Sequence, residues 1–185
     1  MVASVQSTAA HEVKFPLHIP FVEALGFELH HFEGGHAELR VDLNQAHLNS
    51  WEVAHGGVLM TLLDVAMAHA ARSVALPSAP ARSLALPSAP ARSIHAHEPD
   101  FGPGVVTVEM KTSFMRPAEG RLRASAKLLH RSTTLAFCEA SVFDDDSHLC
   151  AHATGTFKYL RKLPTKGRGL KAMRRPPATA KEPAP

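Results

Sequence analysis

The stretch Leu48–Ser73, "LNSWEVAHGGVLMTLLDVAMAHAARS", decides how the rest of the chain is read. From Val58 onward it is apolar enough and long enough for one continuous buried helix. Two features break the pattern. Gly56 and Gly57 stand together at the start, although glycine is a poor residue for a helix interior. Asp64 stands in the middle, the only charged residue between His55 and Arg72. An ionised carboxylate in a dry core costs several kcal/mol unless it is paired or wetted.

Each feature has a bland reading and a functional one. Asp64 is either a surface acid on a half-exposed helix or a carboxylate kept for chemistry. Its helical neighbours Met60, Thr61, Met67 and Ala68 make a poor solvated face. The glycine pair either allows close packing or leaves the unpaired N–H groups of a helix start open to a carbonyl or oxyanion. Gly56 and Asp64 are eight residues apart, so they lie about 12 Å apart along a helix axis. A base must come within about 3 to 6 Å of the carbonyl it serves, directly or through one water. One copy of the helix therefore cannot bring both groups to one carbonyl. Either they are unrelated, or two copies meet antiparallel across a two-fold axis, giving two equal sites.

The flanks of the helix read as strands. "PFVEALGFEL" predicts a short helix starting after Pro20 and ending near Gly26, and "FELHHFEGGHAELRVDL" predicts a hairpin turning at Gly34-Gly35. Beyond the helix, Val106, Val108, Met110 and Phe114 alternate with Thr107, Glu109, Lys111 and Ser113. The alternation continues through Leu122–Leu128, Ala136–Val142 and Leu149–Phe157. With "RPAEG", "HRST" and "DDDSH" as turns, an antiparallel meander is expected. The fold class is α+β: a curved antiparallel sheet wrapped around one long central helix, which is expected to be surrounded because it is apolar on all sides.

The 185 residues suffice for one domain with a sizeable core. Its expected extent is residues 16–160, after a flexible N-terminus at 1–15. "RSVALPSAPA" at 72–81 is repeated almost unchanged as "RSLALPSAPA" at 82–91, and we read a local duplication lengthening a Pro/Ala/Ser-rich loop over 75–103. Residues 161–185 carry a net charge of +7 and five prolines, whereas residues 1–160 carry −4. The basic isoelectric point thus belongs to a tail expected to be disordered, and nucleic-acid binding is not expected. No run of about 18 apolar residues suggests a membrane span, and "MVASVQSTAAHEVKF" lacks the features of a signal peptide. Cys138 and Cys150 lie in strand-like segments and fit buried thiols in a reducing cytoplasm better than a disulfide. The histidines at 30–31 and 95–97 lack metal-ligand spacing, so no metal is expected. There is also no G-x-S-x-G elbow.

The central segment resembles that of hotdog-fold acyl-CoA thioesterases, particularly the phenylacetic-acid-degradation type. The resemblance rests on Asn49, His55, Gly56, Gly57 and Asp64 at N-x5-HGG-x6-D spacing, then on "GVVTVEMKTSFMRPA" and "ATGTFKYL". It implies hydrolysis of an acyl-CoA thioester, with coenzyme A as part of the substrate and no separate cofactor. Asp64 would act as nucleophile or as base for water, and the Gly56 N–H would polarise the thioester carbonyl, with Gly57 beside it. Asn49 would orient water or substrate, Thr107 would place the water, and His55 would brace the turn. Arg131 and Ser132 of "HRSTT", with Arg116, are the candidates for holding coenzyme A. Trp51 and Met60 are candidates for the acyl pocket. A homo-oligomer, at least a dimer and in full a homotetramer, is implied. A hotdog hydratase, though without a G-D-x-N-P-x-H pattern, and a non-catalytic acyl-CoA sensor are the competing readings.

Overall fold

A computed structural model describes Phe15, residues 18–74 and residues 104–160. The expectations for the N-terminus before Phe15, the duplicated loop and the basic tail lie outside those residues. Helix α1 spans Pro20–Ala24, with proline at the helix start where its missing N–H costs nothing. Strands β1 (Glu28–Glu33) and β2 (His36–Asp42) follow, joined by Gly34 and Gly35 at φ +58° and +84°. Positive φ at both central residues is what a tight hairpin turn needs, and glycine adopts it without strain. A 3₁₀ turn at Gln45–His47 leads to the long helix α2, Gly56–Arg72. Strands β3 (Gly104–Phe114), β4 (Arg121–Arg131), β5 (Leu135–Phe143) and β6 (Leu149–Leu160) complete the chain.

The six strands form one antiparallel sheet in the order β1-β2-β4-β5-β6-β3. Only β4-β5-β6 is a meander. "RPAEG" is therefore not a hairpin turn but a crossover from edge strand β3 to β4, and the expected meander is corrected at this point. Three strand spacings are about 14 Å, within reach of six residues extended at about 3.3 Å each. Its backbone is tied down on the way. Met115 and Arg116 donate to the Cys150 carbonyl at 2.8 and 3.2 Å, and the Ala118 carbonyl accepts from Ala54 N–H at 2.9 Å.

Helix α2 lies on the concave side of the sheet. Leu62, Leu63 and Met67 are fully buried, each stabilising the fold by about 2 kcal/mol. They face a floor of small residues, among them Ala124, Ala126, Ala136, Cys138, Ala140 and Ala153, all buried. Small side chains let the helix seat closely. At Gly155 a Cβ would come within 3.1 Å of Met67 Cε and 3.0 Å of Phe157 Cε2, so the seat has no room for one.

Two further expectations are corrected. Strand β3 does not alternate evenly, because its register against β6 shifts between Thr107 and Glu109. One extra residue turns every later side chain to the other face. Val105, Thr107 and Met110 thus all line a hollow with α2, while Val108 is 57% exposed and Phe114 51%. Nor is the helix surrounded within one chain. Gly57 and Met60 are exposed and Thr61, Asp64 and Ala68 half-buried, whereas Met67 turns into the core. The sheet covers one side of α2, and this stripe is what it leaves.

Candidate active site

Asp64 sits on that stripe, halfway along α2, and its carboxylate Oδ1 accepts a hydrogen bond from Thr107 Oγ1 at 2.7 Å. Burial pushes the Asp64 carboxyl above its ordinary range, and the Thr107 hydroxyl, which favours the ionised form, offsets part of that rise. The bulge in β3 makes the pairing possible, since it keeps Thr107 on the helix side. The two residues line a hollow of about 650 Å³ bounded by α1, α2 and the start of β3.

The other half of the candidate chemistry is at the start of the same helix. His55 is the N-cap, with extended backbone at φ −63° and ψ 136°. Its Nδ1 accepts from Gly57 N–H at 2.9 Å, and its carbonyl accepts from Val58 and Leu59 N–H at 2.9 and 3.3 Å. Gly56 N–H is the donor left over, and no group among the described residues accepts from it. The two glycines have different reasons for being glycine. A Cβ on Gly57 would stand 3.0 Å from His55 Nδ1 and crowd the cap, whereas one on Gly56 would meet Phe114 Cζ at an ordinary 3.5 Å. The fold thus has room for a side chain at position 56. Its absence leaves an unpartnered N–H open to approach at the positive end of a helix.

Gly56 opens into a second hollow of about 640 Å³, which Asn49, Trp51, Phe114, Met115 and Arg116 also line. Asn49 Oδ1 accepts from Trp51 N–H at 2.8 Å, which shapes the loop ahead of the helix. Asn49 therefore keeps company with Gly56 rather than with Asp64. Arg131 and Ser132 lie at the β4–β5 turn and line neither hollow. The Ser132 hydroxyl accepts from Thr134 and Leu135 N–H at 3.2 and 3.0 Å, so it shapes that turn. Met60 lines the Asp64 hollow, but Trp51 is 84% exposed beside Gly56.

The candidates thus fall into two half-sites on one face of the chain: Asp64 with Thr107, and Gly56 with Asn49 and Arg116. Three polar residues of the first hollow escaped the sequence reading: His18, His69 and Arg72. Arg72 repeats the Asp64–Ala68 spacing of four, a signal that places it on the same helix stripe. His69 looked like an interruption of an apolar run. No group of three or more metal-ligating side chains occurs among the described residues. Nor is any described helix long and apolar enough to cross a membrane.

The profile of the thioesterase superfamily matches residues 52–151, more than half of the chain and all of α2 through most of the sheet. The chain belongs to the thioesterase superfamily. Its curled sheet around one long helix is the hotdog fold, of the phenylacetic-acid-degradation type. The medium/long-chain acyl-CoA thioesterase YigI of Salmonella typhimurium is 27% identical over 146 residues, covering 77% of this chain and 87% of that one. Among solved structures, conserved protein PA5202 of Pseudomonas aeruginosa is similar with a TM-score of 0.60 and 28% identity, over 78% of this chain and 96% of that one. The phenylacetic acid degradation protein PaaI of Thermus thermophilus is similar with a TM-score of 0.58 and 25% identity, over 77% of this chain and all of that one. Thioester hydrolysis is the reaction class for which the two half-sites have to account.

Proposed function

We propose that the protein hydrolyses acyl-CoA thioesters at sites shared between two copies of the chain, each site taking Asp64 from one copy and the Gly56 N–H from the other. The observation that carries this reading is the separation of the two half-sites along one helix, about 12 Å for eight residues. An antiparallel pairing of two α2 helices removes that distance and completes both sites at once. The exposed apolar side chains around Gly56 fit such a pairing. Trp51, Phe114 and Met115 are 84%, 51% and 51% exposed in the single chain, and a second copy would cover them.

At such a site Asp64 takes a proton from water through the carboxylate oxygen that Thr107 leaves free. The water oxygen adds to the thioester carbon, and the carbonyl oxygen, now an oxyanion, is held by Gly56 N–H. Collapse breaks the C–S bond, and the thiolate of coenzyme A leaves with the proton that Asp64 returns. His55, by capping through Gly57, aims the Gly56 donor. Asn49 orients the substrate beside that donor, and Arg116 in the same hollow meets the phosphate-bearing arm of coenzyme A. Arg131 and Ser132 contact coenzyme A from the β4–β5 turn. No cofactor takes part beyond the coenzyme A of the substrate, and acyl-CoA chemistry fits a cytoplasmic setting. The dimer pairs further into a homotetramer.

A panel of aryl-acetyl, medium-chain and long-chain acyl-CoA esters with a thiol-detecting reagent tests the activity. Asp64→Asn keeps the shape and removes the base, so turnover should fall at least about a hundredfold with the fold intact. Binding of the esters without release of thiol by the wild type would show a sensor instead. Unchanged turnover in a folded Asp64→Asn protein would end the assignment of Asp64.

A further inference from the structure

The Asp64 hollow has a second polar end. One turn and a half beyond Asp64, His69 lines the same hollow, and the stretch between is bounded by apolar groups, among them Val65, Ala68 and Val105. His69 is 2% exposed, and its ring is packed edge-on by Phe15 and Phe32 at centroid distances of 5.2 and 5.6 Å. Nδ1 lies 2.8 Å from the Val65 carbonyl, which can only accept, so the ring proton sits on Nδ1. Nε2 then carries a bare lone pair, is buried, and has no hydrogen-bond partner. Burial lowers the pKa of His69 to about 4, so the ring is neutral and Nε2 remains an acceptor at physiological pH. A buried acceptor without a donor is uncommon in folded proteins and calls for one.

We propose that His69 selects acyl groups bearing a hydroxyl near their far end, the hydroxyl donating to Nε2 while the thioester lies at Asp64. The proposal rests on the thioesterase reading of this site and adds the substrate class to it. Five residues of helix separate Asp64 from His69. That is about 7.5 Å, a distance an extended acyl chain covers in about six bonds of roughly 1.5 Å each. A medium-length chain with a terminal hydroxyl meets both ends. A plain hydrocarbon chain of the same length reaches Nε2 with no donor and leaves it unsatisfied, which a site built around a hydrogen bond penalises.

The test separates binding from turnover. Binding of hexanoyl-CoA and of its ω-hydroxy counterpart is measured by calorimetry on full-length Asp64→Asn protein, in which the ester persists. The ω-hydroxy ester should bind about tenfold to a hundredfold more tightly. The preference should vanish in Asp64→Asn/His69→Phe, where phenylalanine keeps the ring contacts with Phe15 and Phe32 but has no acceptor. Equal binding of the two esters by Asp64→Asn overturns the proposal whether or not the double variant folds, and makes His69 a packing residue or a water ligand. A preference that persists in the folded double variant overturns it as well. A binding preference in a protein whose wild type releases no thiol upholds His69 and removes hydrolysis. Turnover by the wild type with no binding preference does the reverse.

Discussion

Asp64→Asn and Gly56→Pro should each silence the protein, and the two silent proteins together should recover about a quarter of wild-type activity. Proline at 56 removes the one first-turn N–H that nothing in the chain accepts, and loss of a single oxyanion donor costs about a hundredfold to a thousandfold in turnover. The site tolerates proline for three reasons. Position 56 is the first helical residue, where proline is favoured. His55 before it already has the extended ψ of 136° that a residue preceding proline requires. A Cβ at 56 would meet only Phe114, at 3.5 and 3.6 Å. With two shared sites per dimer, each homodimer of a variant lacks one component at both. A mixed dimer has one site with both defects and one with neither. Random co-refolding of equal amounts makes about half of the dimers mixed, each with one of two sites intact, hence about a quarter of wild-type turnover. The assay is thiol release from an acyl-CoA ester, with mixed dimers counted by native mass spectrometry on differently tagged chains. Mixed dimers that form and stay inactive would refute the shared site, and Asp64 and Gly56 would then have separate jobs.

Other expectations concern the groups that set up these two. Thr107→Val keeps the shape but loses the hydroxyl that favours the Asp64 carboxylate. The acid limb of the pH–rate profile, already above the ordinary carboxylate range, should move further up, and an unmoved limb would separate Thr107 from the chemistry. Because the folded Asp64 pKa is raised, its protonated form favours the fold and its ionised form opposes it. Asp64→Asn should therefore melt higher than wild type at neutral pH, with the gap closing as pH falls below the ordinary aspartate pKa. A gap independent of pH would contradict this. His55→Ala should lose the helix cap, about 1 kcal/mol in denaturant titration, together with activity. His55→Asn, with a side chain that caps well, should recover most of both.

How far the sequence carried this reading varies from element to element. The turn at Gly34-Gly35, the cap-and-glycine start of α2, and the buried faces of β4, β5 and β6 are local matters. A positive φ, an N-cap and a period-two alternation each leave their mark within a few residues, and the structure has them where the sequence puts them. Asp64, Gly56 and His55 could be singled out for the same reason: one helix periodicity relates them. The placement of β3 beside β6 was not legible, because "RPAEG" reads alike as a hairpin turn or a crossover, and only long-range pairing distinguishes them. The bulge after Thr107 was not legible either. It inverts the faces of β3, yet comes from how an edge strand fits its partner, and it is what delivers Thr107 to Asp64. His69 shows the same limit most plainly. In sequence it is one histidine among thirteen. Only the packed chain, which spends Nδ1 on a backbone carbonyl and encloses Nε2 between Phe15 and Phe32, turns it into a buried acceptor.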